Sequence, residues 1–252
     1  MTLTTTRRSP ISLPQALSRA GRWYRRWDAL PRPSEWRDMQ AYRSGLALHG
    51  RLWDGRYTML SSRRGRALHR LARELEAATV PGALVDCGVW NGGSSILMAA
   101  GAPNRDVWAF DSFAGLPEPS PVDGRESSAF AGACVGSEEM LREGIERFTR
   151  GARLHVRAGW FEDTFPAAVG EIGPIALLHC DGDWYESVRL TLERFYPGVA
   201  AGGYVVIDDY GAWPGARRAV EEYRARIGDR TPLRRVDHTG RYWRKPGSIA
   251  AS

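Results

Sequence analysis

Residues 85–95 of the chain read Val-Asp-Cys-Gly-Val-Trp-Asn-Gly-Gly-Ser-Ser. This stretch closes an apolar run, Ala83–Cys87, that is typical of a buried strand, and its small residues then turn the chain into a helix. A turn of this kind lets a ligand approach the backbone closely. Its glycines do not have the GxGxxG spacing, which argues against a nicotinamide-dinucleotide fingerprint. We therefore expect a strand, turn and helix that border a binding site.

The alternation of strands and helices continues along the chain. Further strands are predicted at 106–110, 153–157, 174–180, 203–207, 233–236 and 241–244. Helices are predicted at 64–78, from about 95 to 100, at 137–149, at 186–196 and after the strand at 203–207, with a long loop at 114–135. This order predicts an α/β fold with a doubly wound, mostly parallel seven-stranded sheet and ligands at the carboxyl ends of its strands.

The first fifty or so residues are rich in Pro, Arg and Trp without a clean period, and the regular pattern starts near Tyr57. We therefore predict an N-terminal extension, residues 1–56, that is partly helical and packs on a main domain of residues 57–252. The extension is expected to serve as a lid or as a subunit contact, so we expect a homo-oligomer.

The composition is that of an ordinary soluble enzyme, with 252 residues, 43% hydrophobic and 25% charged. There is no apolar run of about 18 residues and no apolar signal-peptide core, so no membrane partner is expected. Cys87 and Cys180 lie in strand-like apolar surroundings, and with Cys134 they do not indicate a disulfide framework. We expect a reducing, cytoplasmic location.

A net charge of +6 and a pI near 9.5 would permit nucleic-acid binding. The arginines concentrate at 19–37 and 63–73, but neither cluster carries a recognised nucleic-acid motif. We therefore expect no nucleic-acid partner.

Four aspartates follow two of the predicted strands. Asp181 and Asp183 come after one apolar run, and Asp208 and Asp209 end the next. Carboxylates that converge at strand ends repel each other unless a cation lies between them. Oxygen ligands favour a hard ion, Mg²⁺ first and Mn²⁺ or Ca²⁺ next. The alternative is that these aspartates only cap the helices that follow.

The second strand ends at Asp111-Ser112, where an acidic side chain can accept hydrogen bonds from ribose hydroxyls. Taken singly, the glycine turn is also typical of helix packing, and Asp111 of a loop-starting cap. Together, on consecutive strands of one sheet, they indicate a pocket for an adenosine-containing cofactor.

Five blocks of sequence, in order between about Tyr57 and Trp243, resemble the macrocin O-methyltransferase family. The blocks are Asp86–Trp90, Asp111–Pro117, Gly159–Phe161, Asp181–Ser187 and Gly202–Tyr210. The family comprises magnesium-dependent sugar O-methyltransferases of antibiotic biosynthesis that use S-adenosylmethionine. The resemblance therefore implies a Rossmann-like methyltransferase fold and a small-molecule glycoside or other sugar-containing substrate.

The resemblance also implies roles for individual residues. The cation is implied on Asp181, Asp208 and Asp209, with Asp183 as general base. The residues implied at the cofactor are Thr58, Met59, Asp86, Gly88, Ser94, Asp111, Ser112, Gly159, Trp160 and Asp181.

The chain departs from the family pattern in three places. Asp86 stands where the family has Glu, which shortens the reach of the carboxylate, and Val188 stands where it has Thr. His179 replaces an aliphatic or basic residue and is either a satisfied histidine at a strand end or a proton-handling group.

A sugar hydroxyl needs help to react. Taking water's pKa of about 15.7 as a stand-in, proton transfer to an ordinary Asp is uphill by about 12 units, or roughly 16 kcal/mol. A coordinated dication lowers the hydroxyl pKa while Asp183 takes the proton. Two neighbouring hydroxyls would chelate the ion best, so we predict a vicinal diol. The acceptor site is expected to comprise the loop 114–135, acting as a lid, and the aromatic residues Trp184, Tyr185, Tyr210 and Trp213.

Two other functions fit parts of the sequence. Asp181-Gly182-Asp183 is also how a metal-dependent glycosyltransferase would hold a nucleotide sugar, although that function explains neither the Asp86 and Asp111 turns nor Asp208 and Asp209. The second alternative is a methyltransferase-like module that binds a ligand without turnover.

Overall fold

A computed structural model of the chain describes residues 38–149 and 151–247. Its strands are β1 (Ala83–Cys87), β2 (Val107–Asp111), β3 (Leu154–Ala158), β4 (Ile175–Cys180), β5 (Val199–Ile207), β6 (Arg234–Arg235) and β7 (Arg241–Arg244). They form one sheet in the order β3-β2-β1-β4-β5-β7-β6. All pairs from β3 to β5 are parallel, whereas β7 is antiparallel to β5 and to β6. The predicted α/β fold with a mostly parallel seven-stranded sheet is confirmed.

Helices cover both faces of this sheet. They are α1 (Met39–Asp54), α2 (Ser62–Ala77), α3 (Gly93–Gly101), α4 (Glu138–Phe148), α5 (Phe161–Ile172), α6 (Tyr185–Phe195) and α7 (Pro214–Arg226), with short 3₁₀ turns at Pro121–Asp123, Ser127–Phe130 and Tyr196–Gly198. No helix among the described residues has the length and apolar character needed to cross a bilayer.

The core consists of two layers, one on each face of the sheet. Every residue of β1 and β4 is buried, as expected for central parallel strands covered on both sides. Because side chains alternate along a strand, Val85 packs in the layer of α5, α6 and α7, whereas Leu84 packs in the layer of α1 to α4. The three cysteines are free, with Cys87 and Cys180 buried in the core.

Helix α1 lies within the N-terminal extension that was predicted to be partly helical, but the sequence pattern did not locate the helix. Its buried residues, Ala41, Gly45, His49 and Leu52, have helical spacing but are mostly small or polar, so the hydrophobic period is weak. The helix packs on α2, and the Nε2 atom of His49 lies 2.9 Å from the backbone oxygen of Leu60. This part of the extension is therefore joined to the main domain, while residues 1–37 lie outside the described residues.

Candidate active site

A cavity of about 660 Å³ opens at the carboxyl ends of the central strands. Its wall combines the turn after β1, the end of β2 and the segments that follow β4 and β5. The volume falls in the range of roughly 300–1,000 Å³ that small-molecule sites occupy. The predicted residues that line it are Thr58, Met59, Gly88, Ser94, Asp111, Ser112, Trp160, Asp181, Asp183, Asp208 and Asp209.

The turn after β1 depends on glycine at position 88. Gly88 has a φ of +90°, and a Cβ atom there would lie 1.9 Å from the carbonyl oxygen of Asp181. The approach is this close because the N–H of Asp181 donates to the carbonyl oxygen of Cys87 at 2.8 Å. The end of β1 is thereby packed against the first residue after β4, and both border the cavity.

Asp111 lies at the end of β2 with its carboxylate partly engaged. One oxygen accepts the N–H of Trp90 and the other accepts the N–H of Phe113, each at 2.8 Å. Burial raises the pKa of Asp111. A carboxylate offers about four acceptor sites, so this one retains capacity for two further donors. The side chain can therefore accept two hydroxyl groups from a ligand in the cavity.

Asp86 does not line the cavity, which differs from the predicted direct cofactor contact. It shares the face of β1 with Leu84 and pairs across the sheet with His179 of β4. One carboxylate oxygen accepts from the hydroxyls of Ser94 (2.7 Å) and Ser95 (2.5 Å), and the other lies 2.7 Å from the Nδ1 atom of His179. Asp86 therefore holds the start of α3 from beneath. Gly159 does not line the cavity either, whereas its neighbour Trp160 does.

The four aspartates after β4 and β5 converge as predicted. Ligand atoms of Asp181, Asp183 and Asp209 lie within 4.8 Å of one another, and so do those of His179, Asp181 and Asp208. Burial and mutual repulsion raise the pKa values of Asp181 and Asp183 well above the ordinary value and that of Asp209 to about 6. We call Asp181, Asp183, Asp208 and Asp209 the acidic cluster.

The acidic cluster fits a hard divalent cation. Its carboxylates supply only oxygen donors, and the Oδ2 atom of Asp209 is buried without a hydrogen-bond partner. The grouping differs in one respect from the predicted ligand set, because Asp208 and Asp209 fall in separate groups and Asp183 stands beside Asp181 and Asp209.

Asp183 adopts a strained backbone conformation. Its φ of +54° is in the left-handed region, which is uncommon for a residue other than glycine. Its Oδ1 atom accepts a hydrogen bond from the Nε1–H of Trp213 at 3.1 Å. The indole therefore fixes one oxygen of the carboxylate beside the cavity.

Sequence reasoning missed Arg64, which also lines the cavity. Its guanidinium forms an ion pair with Asp208 and a second one, at 2.9 Å, with Asp237, which is buried in the turn between β6 and β7. The arginine lies in a basic stretch, 63–73, which composition distinguishes only as a cluster of arginines without a nucleic-acid motif. The only local signal was its place in the first turn of α2, directly after the cavity-lining segment Tyr57–Leu60.

His179 is completely buried between the turn after β1 and the acidic cluster. Its Nδ1 atom contacts Asp86, while its Nε2 atom lies 4.0 Å from the Oδ1 atom of Asp208 and has no hydrogen-bond partner. Although burial acts to lower the pKa of His179, Asp208 and Asp86 raise it to about 9. Its Nδ1 atom thus has a partner, whereas its Nε2 atom faces the acidic cluster from beneath.

The predicted acceptor residues separate into two groups. Trp184 is 2% exposed, lines the cavity and donates from Nε1 to the carbonyl oxygen of Pro117 in the loop 114–135, at 2.9 Å. Trp213 donates to Asp183 but is not among the residues that line the cavity. The hydroxyls of Tyr185 and Tyr210 instead donate to Glu222 and Glu221 of α7, and neither tyrosine lines the cavity.

The loop 114–135 is tied to the rest of the domain. The buried carboxylate of Asp123 accepts the backbone N–H of Tyr185 at 2.7 Å and that of Ser120 at 2.8 Å. Several residues of the loop, among them Leu116 and Cys134, line the cavity. Opening or closing of this loop on binding stays a prediction.

Comparison with known proteins agrees with this geometry. The family model described as Macrocin-O-methyltransferase (TylF) matches residues 38–245. The chain is 36% identical over 220 residues to demethyldecarbamoylnovobiocin O-methyltransferase of Streptomyces niveus, which covers 81% of this chain and 82% of that protein. It is 38% identical over 217 residues to 8-demethyl-8-(2,3-dimethoxy-alpha-L-rhamnosyl)-tetracenomycin-C 4'-O-methyltransferase of Streptomyces olivaceus, with 81% and 82% covered.

A solved structure of the O-methyltransferase NovP superposes with a TM-score of 0.68 at 34% sequence identity, covering 76% of this chain and 83% of that one. The fold, the sequence and the order of the cavity-lining segments thus point the same way. The chain belongs to the macrocin-O-methyltransferase (TylF) family and is an S-adenosylmethionine-dependent O-methyltransferase.

Proposed function

We propose that this enzyme methylates a sugar hydroxyl of a glycosylated natural product or antibiotic precursor, in a reaction that requires a divalent cation and uses Asp183 as general base. The observation that carries the proposal is that the turn after β1, the end of β2 and the acidic cluster line one cavity. A relative named for a rhamnosyl-bearing tetracenomycin and another named for a novobiocin precursor support the acceptor class.

S-adenosylmethionine supplies an electrophilic methyl group on sulfur. The two open acceptor sites of Asp111 would take the ribose hydroxyls, as the acid at this strand end does in other nucleotide-binding α/β folds. Thr58, Met59, Ser94, Ser112, Trp160 and the backbone at Gly88 line the same cavity and would hold the rest of the cofactor. Asp86 would act indirectly, by holding Ser94 in place.

Asp181, Asp208 and Asp209 would hold the cation, for which Mg²⁺ is the first choice and Mn²⁺ or Ca²⁺ the next. A divalent cation supplies a Lewis acid that lowers the pKa of a nearby hydroxyl. A vicinal diol would present two oxygens to it, which is why we expect the acceptor to carry adjacent free hydroxyls.

Asp183 would accept the hydroxyl proton as the acceptor oxygen attacks the methyl group. Trp213 holds the Oδ1 atom, so the Oδ2 atom is the one that we assign to the proton. Burial and the neighbouring Asp209 raise the pKa of Asp183, which narrows the pKa gap between base and hydroxyl. The buried Trp184 beside it helps to exclude water that would compete for the proton.

A product assay tests the proposal. The full chain is incubated with S-adenosylmethionine and candidate glycosides, with Mg²⁺ or with a chelator, and the products are examined by mass spectrometry. We expect one added methyl group in the presence of Mg²⁺, none with chelator, and none on a glycoside whose adjacent hydroxyl is already blocked.

Each alternative has its own signature. Methylation that is unaffected by the chelator would contradict the cation requirement. Binding of S-adenosylhomocysteine without turnover of any glycoside would favour the non-catalytic module. Binding of a uridine nucleotide sugar in place of S-adenosylhomocysteine would favour the glycosyltransferase.

The predicted homo-oligomer, the cytoplasmic location and the division at residue 56 stay predictions. The segment proposed as subunit contact or lid falls largely within residues 1–37, which lie outside the described residues. Sedimentation equilibrium of the full chain, compared with a chain that begins at residue 38, would show whether this segment joins subunits.

A further inference from the structure

Arg64 reaches the acidic cluster from outside it. The residue lies in the first turn of α2, and its side chain is 16% exposed. All three guanidinium nitrogens are engaged: Nη1 donates to the Oδ2 atom of Asp208, Nε donates to the Oδ2 atom of Asp237 at 2.9 Å, and Nη2 donates to the hydroxyl of Thr239. The guanidinium thus bridges the end of β5 and the β6–β7 turn.

The bridge places a full positive charge where four carboxylates would otherwise repel each other. Although burial acts to lower the pKa of Arg64, Asp208, Asp237, Asp209 and Asp181 raise it. Among the described residues, His179 also faces Asp208, at 4.0 Å and from beneath the cluster. Arg64 therefore supplies from the cavity side part of the neutralisation that a bound cation would supply.

Asp237 determines where the guanidinium rests. Its Oδ1 atom accepts the backbone N–H groups of Thr239 (3.0 Å) and Gly240 (2.8 Å), which fixes the carboxylate within the turn. Its Oδ2 atom accepts from Arg64 and from the hydroxyl of Ser61, at 3.2 Å, and the Nδ1 atom of His238 lies 3.9 Å from it. The arginine is therefore shared between a fixed partner outside the cluster and Asp208 inside it.

We propose that Arg64 is an internal counter-ion of the acidic cluster, which competes with the divalent cation for Asp208 and thereby sets the affinity for that cation. The inference rests on the cation site proposed above. When a cation approaches, its charge repels the guanidinium, and the bond to Asp208 is the one that must weaken because Asp208, unlike Asp237, belongs to the cluster that would bind the cation. Asp237 and Thr239 then retain the arginine.

Competition predicts opposite effects for the two partners of this bridge. Arg64→Gln removes the competing charge, so the cation should bind more tightly. Asp237→Asn keeps an oxygen for the two backbone N–H groups but removes the charge that holds Arg64 away, so the guanidinium should pair more strongly with Asp208 and the cation should bind more weakly. A purely structural role for the bridge would weaken binding in both variants.

Isothermal titration calorimetry with Mg²⁺ and with Mn²⁺ on the full chain measures the effect directly, without turnover. We expect the dissociation constant to fall roughly tenfold in Arg64→Gln and to rise roughly tenfold in Asp237→Asn, since a close charge commonly shifts an ionic equilibrium by a pKa unit or more. Arg70→Gln is the matched control, because Arg70 lies on the same helix, pairs with Glu74 and does not line the cavity. Its dissociation constant should stay within about twofold of the wild type.

Binding of S-adenosylhomocysteine by the same samples reports whether each variant is folded. An Arg64→Gln variant with unchanged or weaker cation binding would overturn the inference, and so would an Asp237→Asn variant with tighter binding. If Arg64→Gln does not bind S-adenosylhomocysteine, the direction of the change in Asp237→Asn decides. If the wild type binds S-adenosylhomocysteine but no cation, the proposed cation site is wrong and the inference falls with it. If the wild type binds the cation and both variants bind it with the same affinity, the inference alone is overturned.

Discussion

Asp183 combines two features that cost stability and that a structural role does not require. Its left-handed backbone costs about 1–2 kcal/mol for a residue with a Cβ atom, and its carboxylate lies beside those of Asp181 and Asp209. Trp213 donates to one oxygen and so holds the side chain in a single orientation. Strain and buried charge at one position are typical of a residue that is kept for chemistry.

Asp183→Asn therefore tests the base at the scale of one residue. The amide keeps an oxygen for Trp213 but cannot accept the hydroxyl proton, so we expect kcat to fall by about 10²- to 10⁴-fold. The affinities for S-adenosylhomocysteine and Mg²⁺ should change only a few-fold, as measured by calorimetry. Asp163→Asn, which changes an exposed carboxylate on α5, should leave kcat unchanged.

Two results would contradict the assignment in different ways. A near wild-type rate for Asp183→Asn would show that Asp183 is not the base. Loss of both cation binding and turnover would show that Asp183 is a ligand of the cation, as its position beside Asp181 and Asp209 also permits.

At the scale of elements, the junction of β1 and β4 fixes the position of the turn after β1 relative to the acidic cluster. Gly88 and Asp181 touch through their backbones, and Asp86 and His179 pair on the same face of the two strands. A side chain at position 88 would separate the strand ends and would displace both halves of the site together.

Two glycines with left-handed backbones allow this packing effect to be measured. Gly228, after α7, has a φ of +68° and no atom within 4 Å of an added Cβ, so Gly228→Ala should cost about 1–2 kcal/mol from backbone strain alone. In Gly88→Ala the Cβ atom would also meet the oxygen of Asp181, so we expect a loss of roughly 3 kcal/mol or more and weaker binding of S-adenosylhomocysteine. Urea unfolding of both variants measures the two losses in the free energy of unfolding. Equal losses would show that the contact between position 88 and Asp181 adds no cost of its own.

At the scale of the whole molecule, the buried ionisable groups should make the folded chain more stable below neutral pH than at neutral pH when no cation is bound. The pKa of Asp209 is raised to about 6, so the folded chain takes up a proton at a higher pH than the unfolded chain does. His179, whose pKa is raised to about 9, contributes its full stabilisation below about pH 6.5. Like Asp209, it therefore makes the fold more stable as the pH falls. His69 opposes them, because burial lowers its pKa, but it is one group against the several carboxylates of the cluster.

We therefore expect the cation-free chain to gain stability between about pH 7 and pH 5, where most proteins change little. Urea unfolding in chelator at the two pH values measures the gain, and saturating Mg²⁺ should abolish it because the cation then takes the place of the proton. Asp209→Asn should show a smaller gain. A fall in stability from pH 7 to pH 5 in chelator would contradict this prediction.

The sequence predicted those parts of the molecule that rest on local pattern. The apolar runs before Asp181 and Asp208 located β4 and the end of β5, and with them the acidic cluster. Helix α1 could not be located within the partly helical extension because its buried face is small and polar, and α5 was not predicted because Pro166 interrupts its pattern. Arg64 and Asp237 could not be paired from sequence, since 173 residues separate them and only the folded sheet brings them together.

The sheet ends at β6, a strand of two residues, both of them exposed arginines. An edge this short offers few unpaired backbone groups, and its charges repel the same edge of another molecule. Addition of a strand from a second chain is therefore disfavoured at this side, which protects a protein with a long central strand such as β5 from edge-to-edge aggregation at high concentration.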